Sequence, residues 1–448
     1  MARQYDLVIV GAGTAAMTAA SRVSSQGWSV AVVDFQPFGG TCALRGCDPK
    51  KMLIAATSVV DHVHRMRGKG TAGDVHIEWS KLMAFKRTFT DPVPEMQEHN
   101  YQAKGIDTFH GEARFTGRQT IEVNGEALEG RYVLLATGAE PVNLDIPGEE
   151  HLITNQGFLT LEALPAHIVF VGGGYIAAEF AHIAGLSGAK VTILQHANRM
   201  LTAFDKDLVG WLMNKFDSLG IDVQTGTAVE SIEKLASGYR VWCSHEGEKH
   251  SVDADLVVHA AGRKPSFSRL HLEAAGVEIE AGRLKLNEFL QSVSNPAIYA
   301  AGDAAQVGPP LTPVSSHDAG VVATNLLKGN TRQPDYLGVP SVAFTLPPIA
   351  SVGMSEETAR EKNLKFRVQS KHASNWFTSR QAAEPVYGFK VIVDETSDKV
   401  LGAHLVGPHA DDVINIFALA IRHGITATAL KQTMFAYPTG ASDIGYML

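Results

Sequence analysis

Cysteine is scarce in this sequence, because its 448 residues include only three, Cys42, Cys47 and Cys243. So few cysteines exclude the disulfide framework that holds small secreted domains together. No apolar stretch reaches the roughly 18 residues that a membrane-spanning helix needs. The formal net charge of -8 is scattered, without the runs of like charge that favour a nucleic-acid partner. We therefore expect a globular protein with neither a membrane nor a nucleic-acid partner.

An apolar segment that begins at Leu7 looks like a secretory signal only at first sight. Asp6 precedes this segment, a glycine motif interrupts it, and Arg3 is the only basic residue before it. The length of 448 residues and the 45% hydrophobic content predict two to four domains with ample core.

The most informative stretch runs from Gly39 to Lys50 and reads GGTCALRGCDPK. Cys42 and Cys47 lie five positions apart in it, so a helical turn or a tight loop can bring their sulfurs within disulfide reach. Two cysteines placed directly after a nucleotide-binding pattern indicate redox chemistry. The alternatives are a metal half-site or an inert bridge, but no nearby cluster of histidines or cysteines completes a zinc site. We interpret the pair as a redox-active dithiol and predict no metal site.

The N-terminus has the pattern of a dinucleotide-binding unit. Its predicted elements are a strand Tyr5–Val10, a helix from about Thr14 to Gln26 and a strand Ser29–Val33. Before the helix, Gly11 permits a tight turn, Gly13 lets the backbone approach a pyrophosphate, and Ala16 allows close helix packing. Asp34 ends the second strand, where a carboxylate meets an adenosine ribose hydroxyl.

A second unit of the same kind lies about 160 residues downstream. Its strand His167–Val171 leads into Gly172, Gly173 and Gly174, and a helix follows. The next predicted strand, Lys190–Leu194, ends in Gln195 and not in an acid. Two such patterns predict two bound dinucleotides.

The extended stretch GGTCALRGCDPKK resembles the active-site segment of the flavoprotein disulfide reductases, among them glutathione reductase, dihydrolipoamide dehydrogenase and mercuric reductase. Three further stretches resemble motifs that link the domains of that family: Val133–Gly138 with Ile146–Gly148, His259–Pro265, and Ile298–Asp303. From these motifs the chain is identified as a member of the class I pyridine nucleotide-disulfide oxidoreductases.

The resemblance implies an α/β fold with two Rossmann-like dinucleotide-binding domains and a C-terminal α+β interface domain that forms a homodimer. The expected boundaries are residues 1–147 for the first part of the FAD domain, 148–264 for the NAD(P)H domain, 265–333 for the central FAD part and 334–448 for the interface domain. Strands of an antiparallel sheet are expected at Ser341–Thr345 and Phe389–Val393, with helices near Asp411–His423 and Thr426–Gln432.

The resemblance also identifies the two dinucleotides as FAD at the first unit and NAD(P)H at the second. The residues expected to bind FAD are Gly11, Gly13, Thr14, Ala15, Asp34, Gly40, Thr41, Gly111, Ala113, Thr137, Gly138, Gly302, Asp303 and Thr312. Those expected to bind NAD(P)H are Gly172, Gly173, Gly174, Tyr175, Ile176, Gln195, His196, Arg199 and Gly262. NADPH is favoured over NADH, because Gln195 does not repel a 2′-phosphate and His196 and Arg199 can help to bind it.

The family relay implies roles for several side chains. Electrons would pass from NAD(P)H through FAD to Cys47, which faces the flavin, while Cys42 is the outward nucleophile. Tyr175 would cover the flavin, and Glu179 would pair with a lysine near flavin N5. Lys50 and Lys51 each match one spacing found in the family, so both remain candidates for that lysine. Arg45 is expected to lower a thiol pKa, and Asp48 to oppose it.

The C-terminal segment departs from the family at the residues that protonate the leaving thiol. Tyr437 stands where the family has histidine and Ser442 where it has glutamate, although Asp443 is adjacent. A tyrosine, whose unperturbed pKa is about 10, can donate a proton but is a poor base at neutral pH. Tyr437 is either an acid or a packing residue. Mercuric reductase also has a tyrosine here but needs a C-terminal cysteine pair, and no cysteine follows Cys243.

Three functions remain open on these residues. The first is reduction of a small disulfide such as glutathione disulfide. The second is reduction of metal ions, quinones or small electrophilic oxidants by the same dithiol. The third is a subunit similar to dihydrolipoamide dehydrogenase. A cytoplasmic location is expected, because reduced nicotinamide can cycle a catalytic dithiol there.

Overall fold

A computed structural model describes all residues from Met1 to Leu448. The strands are β1 (Arg3–Val10), β2 (Val30–Asp34), β3 (Asp107–His110), β4 (Arg114–Phe115), β5 (Thr120–Val123), β6 (Glu126–Leu135), β7 (Ala139–Pro141), β8 (His167–Val171), β9 (Lys190–Gln195), β10 (Asp222–Thr225), β11 (Thr227–Lys234), β12 (Tyr239–His245), β13 (Glu248–Ala254), β14 (Leu256–His259), β15 (Arg263–Pro265), β16 (Ile279–Glu280), β17 (Arg283–Leu284), β18 (Ile298–Ala300), β19 (Ser341–Ala343), β20 (Ile349–Gly353), β21 (Phe366–His372), β22 (Gly388–Asp394) and β23 (Val400–Val406). The α-helices are α1 (Thr14–Ser24), α2 (Gly40–Arg45), α3 (Cys47–Met66), α4 (Trp79–Thr90), α5 (Val93–Gln102), α6 (Asn155–Phe158), α7 (Tyr175–Leu186), α8 (Lys206–Ser218), α9 (Thr312–Lys328), α10 (Glu356–Glu361), α11 (Phe377–Gln381), α12 (Ala410–His423), α13 (Ala427–Gln432) and α14 (Ile444–Met447).

The chain divides into two compact units. The first comprises Met1–Pro49, Phe85–Val142 and Arg263–Tyr336. Its main sheet has the order β3-β2-β1-β6-β5-β4, and β18 also pairs with β6. The β3, β2, β1, β6 and β18 strands are parallel, so their carboxyl ends lie along one edge. In open parallel sheets this edge is where ligands bind.

Small side chains let α1 pack closely in this unit. Ala15, Ala16, Ala19 and Ala20 are all buried, and the helix packs against α9. The apolar run Leu7–Val10 of β1 is buried as well, as is typical of a parallel strand that is covered on both faces.

The second unit comprises Lys50–Ala84, Asn143–Gly262 and Leu337–Leu448. It contains a parallel sheet of order β10-β9-β8-β14, which α7 covers, and an antiparallel sheet of order β11-β12-β13. Its C-terminal part is an antiparallel sheet of order β19-β20-β23-β22-β21, against which α12 packs.

The structure confirms the predicted α/β class with parallel dinucleotide-type sheets and a C-terminal antiparallel sheet. Element ends differ by a few residues: the helix expected to reach Gln26 ends at Ser24, and the strand expected to end at Thr345 ends at Ala343. The four domain boundaries remain a prediction. No helix is long and apolar enough to cross a membrane.

Candidate active site

The first glycine loop joins β1 to α1 in a conformation that requires glycine. Gly11 has a φ of +105°, and a Cβ built there would overlap the carbonyl of Ala136. The Gly11 amide donates to the Val33 carbonyl at 2.7 Å, and the Ala136 amide donates to the Val10 carbonyl at 2.8 Å. The loop is therefore held between the ends of β2 and β6.

Asp34 fixes the same loop from the end of β2. Its Oδ2 accepts a hydrogen bond from the Ala12 amide at 2.8 Å, and its Oδ1 accepts one from the Gln36 amide at 2.9 Å. Burial raises the pKa of this carboxyl, although both amides oppose the rise. The side chain predicted to meet a ribose hydroxyl is thus also an acceptor for the loop backbone.

The second glycine loop joins β8 to α7 with nearly the same geometry. Gly172 has a φ of +106°, and a Cβ there would overlap the carbonyl of Ala260. Gln195 Oε1 accepts from the Gly173 amide at 2.8 Å, and Gln195 Nε2 donates to the Arg199 carbonyl at 3.2 Å. A neutral amide occupies the position that the Asp34 carboxylate has in the first loop.

Arg199 lies after β9, but its guanidinium is already engaged. It donates to the carbonyls of Thr202 and Phe204 at 2.6 and 2.9 Å. His196 is exposed. For Arg199 to bind a 2′-phosphate, its guanidinium would have to exchange these carbonyls for phosphate oxygens.

The remaining predicted residues lie at the ends of the expected elements. For FAD, Thr14 and Ala15 begin α1, Gly40 and Thr41 begin α2, Gly111 and Ala113 follow β3, Thr137 and Gly138 follow β6, Gly302 and Asp303 follow β18, and Thr312 begins α9. For NAD(P)H, Gly174 precedes α7, Tyr175 and Ile176 begin it, and Gly262 follows β14.

The two predicted redox cysteines meet at one hydroxyl. Cys42 lies in the short helix α2, and Cys47 is the first residue of α3. Thr312 Oγ1 donates to Cys42 Sγ at 3.1 Å and lies 3.5 Å from Cys47 Sγ. Both sulfurs are thiols in the structure. The sequence predicted the dithiol, but it assigned Thr312 to FAD and did not reveal this contact with the sulfurs.

The thiol of Cys42 holds its proton firmly. Its hydrogen bond with Cys47 and its burial raise the pKa of Cys42 far above the ordinary value, and Asp48 adds to the rise. The effect expected of Asp48 is therefore present. The Arg45 guanidinium interacts with Asp34, which raises its pKa, while burial lowers it more strongly.

Arg263 is a cation near the sulfurs that the sequence did not single out. Its charge interacts with Asp303 and Cys47, and burial lowers the pKa of the guanidinium. Its guanidinium also donates to the carbonyl of Ala139. Arg263 lies within the family-like motif His259–Pro265. That motif is the only feature of the sequence that points to Arg263.

In the second unit, the structure decides which lysine pairs with Glu179. Lys50 Nζ donates to Glu179 Oε1 at 2.8 Å, whereas Lys51 Nζ lies 3.7 Å from Asp411. Glu179 Oε1 also accepts from the Phe344 amide at 2.8 Å. The Lys50–Glu179 pair is largely buried, with side-chain exposures of 14% and 5%.

Two aromatic side chains that the sequence did not predict lie close to the lysines and to Tyr175. The Phe344 ring centroid lies 3.6 Å from Lys51 Nζ and 4.8 Å from Lys50 Nζ. The Phe204 ring centroid lies 5.3 Å from that of Tyr175. Burial raises the pKa of the Tyr175 phenol. Tyr175 thus begins α7 as a packed ring, one turn before Glu179.

Tyr437 is exposed, and the side chains near the family's glutamate position form hydrogen bonds with other residues. The Tyr437 side chain is 78% exposed, and its ring lies 6.2 Å from that of Phe377. Ser442 forms a reciprocal capping box with Thr439. Asp443 is buried and accepts from the Tyr387 phenol at 2.6 Å. Asp443, although adjacent in sequence, is therefore bound to Tyr387.

Comparison with known proteins identifies the family. Residues 5–319 match the model described as pyridine nucleotide-disulphide oxidoreductase, and residues 339–447 match its dimerisation domain. The chain belongs to the pyridine nucleotide-disulphide oxidoreductases. The predicted family and enzyme class are confirmed, and this family implies FAD and a pyridine nucleotide as cofactors.

Relatives within this family have several substrates in their names. The chain is 32% identical to a mercuric reductase from Staphylococcus aureus, over 98% of this chain and 81% of the relative. It is 31% identical to a glutathione reductase from Burkholderia cepacia, over 98% and 97% of the two chains. The Cu(II) complex of the HOCl-induced flavoprotein disulfide reductase RclA from Escherichia coli superposes with a TM-score of 0.89, at 27% identity and over 99% of both chains.

The first unit of this family member offers groups that fit FAD. Thr137 Oγ1 after β6 and Gln36 Oε1 after β2 are buried without a hydrogen-bond partner. Buried polar atoms are normally paired, so both suit the polar groups of a ligand. A Cβ at Gly40 would overlap Gly13, so glycines keep the start of α2 close to the first loop.

Proposed function

We propose that the protein is a homodimeric, NADPH-dependent flavoprotein reductase in which Cys42 and Cys47 pass electrons to a small acceptor. The observation that carries this proposal is that Thr312 Oγ1 lies within 3.5 Å of both sulfurs, in the unit that also holds the Gly11 loop. FAD, when bound, would take a hydride from the nicotinamide and reduce the sulfur pair.

The protein's own groups would distribute charge over the dithiol unequally. The raised pKa of Cys42 keeps the proton on that sulfur. Arg263 interacts electrostatically with Cys47, and a nearby cation favours a thiolate. These two effects support Cys47 as the flavin-side thiolate. Cys42 would be the outward sulfur, and it would attack the acceptor as a thiolate, after it has released its proton to water.

We propose Lys50, rather than Lys51, as the lysine of the hydride step. Lys50 is held by Glu179 and is largely buried, so its ammonium has one preferred position. Lys51 is half exposed and faces Asp411 at 3.7 Å. A fixed cation can orient and stabilise developing negative charge at no further ordering cost.

We propose that the acceptor needs no proton from Tyr437 on a leaving thiol. Metal ions and small electrophilic oxidants belong to this class. In this chain Ser442 is bound to Thr439 and Asp443 to Tyr387, so no carboxylate near the family's glutamate position orients the phenol. The relatives named for mercuric ion reduction and the Cu(II) complex of RclA support the same class.

Glutathione disulfide is the second candidate acceptor, supported by 31% identity to a glutathione reductase over nearly its whole length. The two candidates differ in their need for Tyr437. With glutathione disulfide as substrate, Tyr437→Phe would lower kcat about 10²-fold or more if the phenol is the acid. With cupric or mercuric ion it would leave kcat unchanged.

An acceptor screen tests this proposal. Steady-state rates with NADPH are measured for glutathione disulfide, lipoamide, cupric ion, mercuric ion and hypothiocyanite, on the wild type and on Tyr437→Phe. We expect the metal ions or hypothiocyanite to be the best substrates, and their rates to be lost in Cys42→Ser and Cys47→Ser. Fast lipoamide turnover with NADH would instead favour a protein similar to dihydrolipoamide dehydrogenase.

A further inference from the structure

A buried carboxylate lies beneath the turn that carries Asp303. The turn Gly302–Ala304 follows β18 after one residue, Ala301, and Gly302 adopts a φ of +65°. Its amide donates to Asp318 Oδ2 at 3.2 Å. Asp318 lies on α9 and is completely buried. One carboxylate oxygen thus holds the first residue of the turn.

The other oxygen of Asp318 is also committed. Asp318 Oδ1 accepts from the Tyr336 phenol at 2.9 Å. Burial raises the pKa of Asp318 to about 6, with a small further rise from Asp303, while the phenol and the Gly302 amide oppose it. A buried carboxylate is costly unless it is well hydrogen-bonded. The bonds from the Gly302 amide and the Tyr336 phenol offset this cost, and they tie Asp318 to the turn.

The helix α9 connects this carboxylate to the sulfur pair. It begins at Thr312, whose hydroxyl contacts Cys42 Sγ at 3.1 Å, and it carries Asp318 six residues later. Ser315, between them, lies directly against Gly302, where a Cβ would collide with its hydroxyl. A single rigid helix therefore sets both the position of the turn and the hydroxyl at the sulfurs.

We propose that Asp318 is a positioning residue that fixes the Gly302–Asp303 turn and thereby sets the affinity for FAD. This inference rests on the proposed function and on the family resemblance, which implies that Asp303 binds FAD. The Gly302 amide and the Tyr336 phenol are its two anchors, and neither anchor is predicted to contact substrate.

The test measures FAD release from the holoprotein, by the flavin fluorescence that is recovered on dilution. Asp318→Ala leaves the Gly302 amide buried without an acceptor, and we expect it to weaken FAD binding about 10- to 100-fold. Asp318→Asn should retain FAD within about threefold, because its oxygen can accept from Gly302 while its amide donates to the phenol oxygen. Tyr336→Phe should fall between these two variants.

Asn325→Ala is the matched control. Asn325 is a buried polar residue on the same helix and bonds the backbone at Thr331 and Arg332, away from the turn. Asn325→Ala is expected to lower the thermal unfolding midpoint about as much as Asp318→Ala but to leave FAD affinity unchanged.

The outcomes separate this inference from the proposed function. If Asp318→Ala binds FAD as tightly as the wild type, or if Asn325→Ala loses FAD equally, the positioning role is wrong. If Asp318→Ala does not fold, equal FAD release from Tyr336→Phe and the wild type contradicts it. If the wild type itself binds no FAD, the proposed function fails instead.

Discussion

The two glycine loops have almost the same backbone conformation, but they bond to side chains of different charge. Gly13 and Gly174 precede their helices with φ, ψ of −84°, −165° and −85°, −162°. In each loop, an amide donates at 2.8 Å to the side chain that ends the second strand. That side chain is the Asp34 carboxylate in the first loop and the neutral Gln195 amide in the second. The two loops thus share one backbone conformation and differ in the charge of the side chain that accepts from it.

The helices that follow the loops differ in the same way. Counting from the glycines, Thr18 of α1 corresponds to Glu179 of α7. Thr18 bonds the carbonyl of Thr14 in its own helix, whereas Glu179 pairs with Lys50. Likewise Ser21 of α1 corresponds to His182 of α7, which is fully buried. At the first of these positions α1 is therefore bonded within itself, whereas α7 carries a carboxylate that pairs with a lysine of α3.

The largest effect is expected from a substitution in the second glycine loop. Gly172→Ala would place a Cβ against the Ala260 carbonyl in a backbone conformation that already disfavours side chains. We expect NADPH-dependent reduction to fall at least about 100-fold, measured as kcat/KM. Gly188→Ala is the control, because Gly188 has a similar φ of +102° with nothing within 4 Å. Equal losses in both variants would mean that backbone strain alone causes the effect.

The next effect concerns the helix positions. Lys50→Met would remove the buried partner of Glu179, and Glu179→Gln would remove the charge that holds Lys50. We expect each to slow flavin reduction by NADPH about 10- to 100-fold in stopped-flow experiments. Lys51→Met and Thr18→Val should change that rate less than about threefold. A larger loss in Lys51→Met than in Lys50→Met would reverse our assignment of the two lysines.

A smaller effect is expected from replacing the side chain that ends β9. Gln195→Glu gives the second loop an anionic acceptor like Asp34 while keeping a bond to the Gly173 amide. Its charge repels a 2′-phosphate, so the kcat/KM ratio of NADPH to NADH should fall about tenfold. An unchanged ratio, or a wild type that prefers NADH, would refute the proposed NADPH preference.

The smallest effect is a loss of folding stability that appears only at acidic pH. Burial lowers the pKa of His182 to about 4, and Lys215 adds to this, while the Ala178 carbonyl and Asp61 oppose it. The unfolded histidine, with a pKa of about 6.5, therefore binds a proton that the folded one rejects, and stability falls as the pH drops from about 6.5 to about 4. We expect a loss of up to roughly 3 kcal/mol over this range. In His182→Leu, urea unfolding at pH 7 and pH 5 should show a smaller loss.

Local pattern explains which parts of the site were predictable. Strand, glycines, helix and terminal side chain occur within about 30 residues, so both loops could be read directly from the sequence. Lys50 and Lys51 are neighbours, and only the position of Glu179 in the folded second unit separates them. Arg263 and the Thr312 hydroxyl lie more than 200 residues from the cysteines in sequence, so their contacts depend on the tertiary fold. Asp443 looked available beside Ser442, but its bond to Tyr387 depends on packing that sequence does not show.

The most direct test of the central claim is an anaerobic reductive titration of the purified protein, followed by its absorbance spectrum. A bound flavin and a redox-active Cys42–Cys47 pair each accept two electrons, so we predict uptake of about four electron equivalents. We also predict a long-wavelength band from the Cys47 thiolate beside the flavin, which is lost in Cys47→Ser. A colourless protein, or uptake of about two equivalents without that band, would contradict the account.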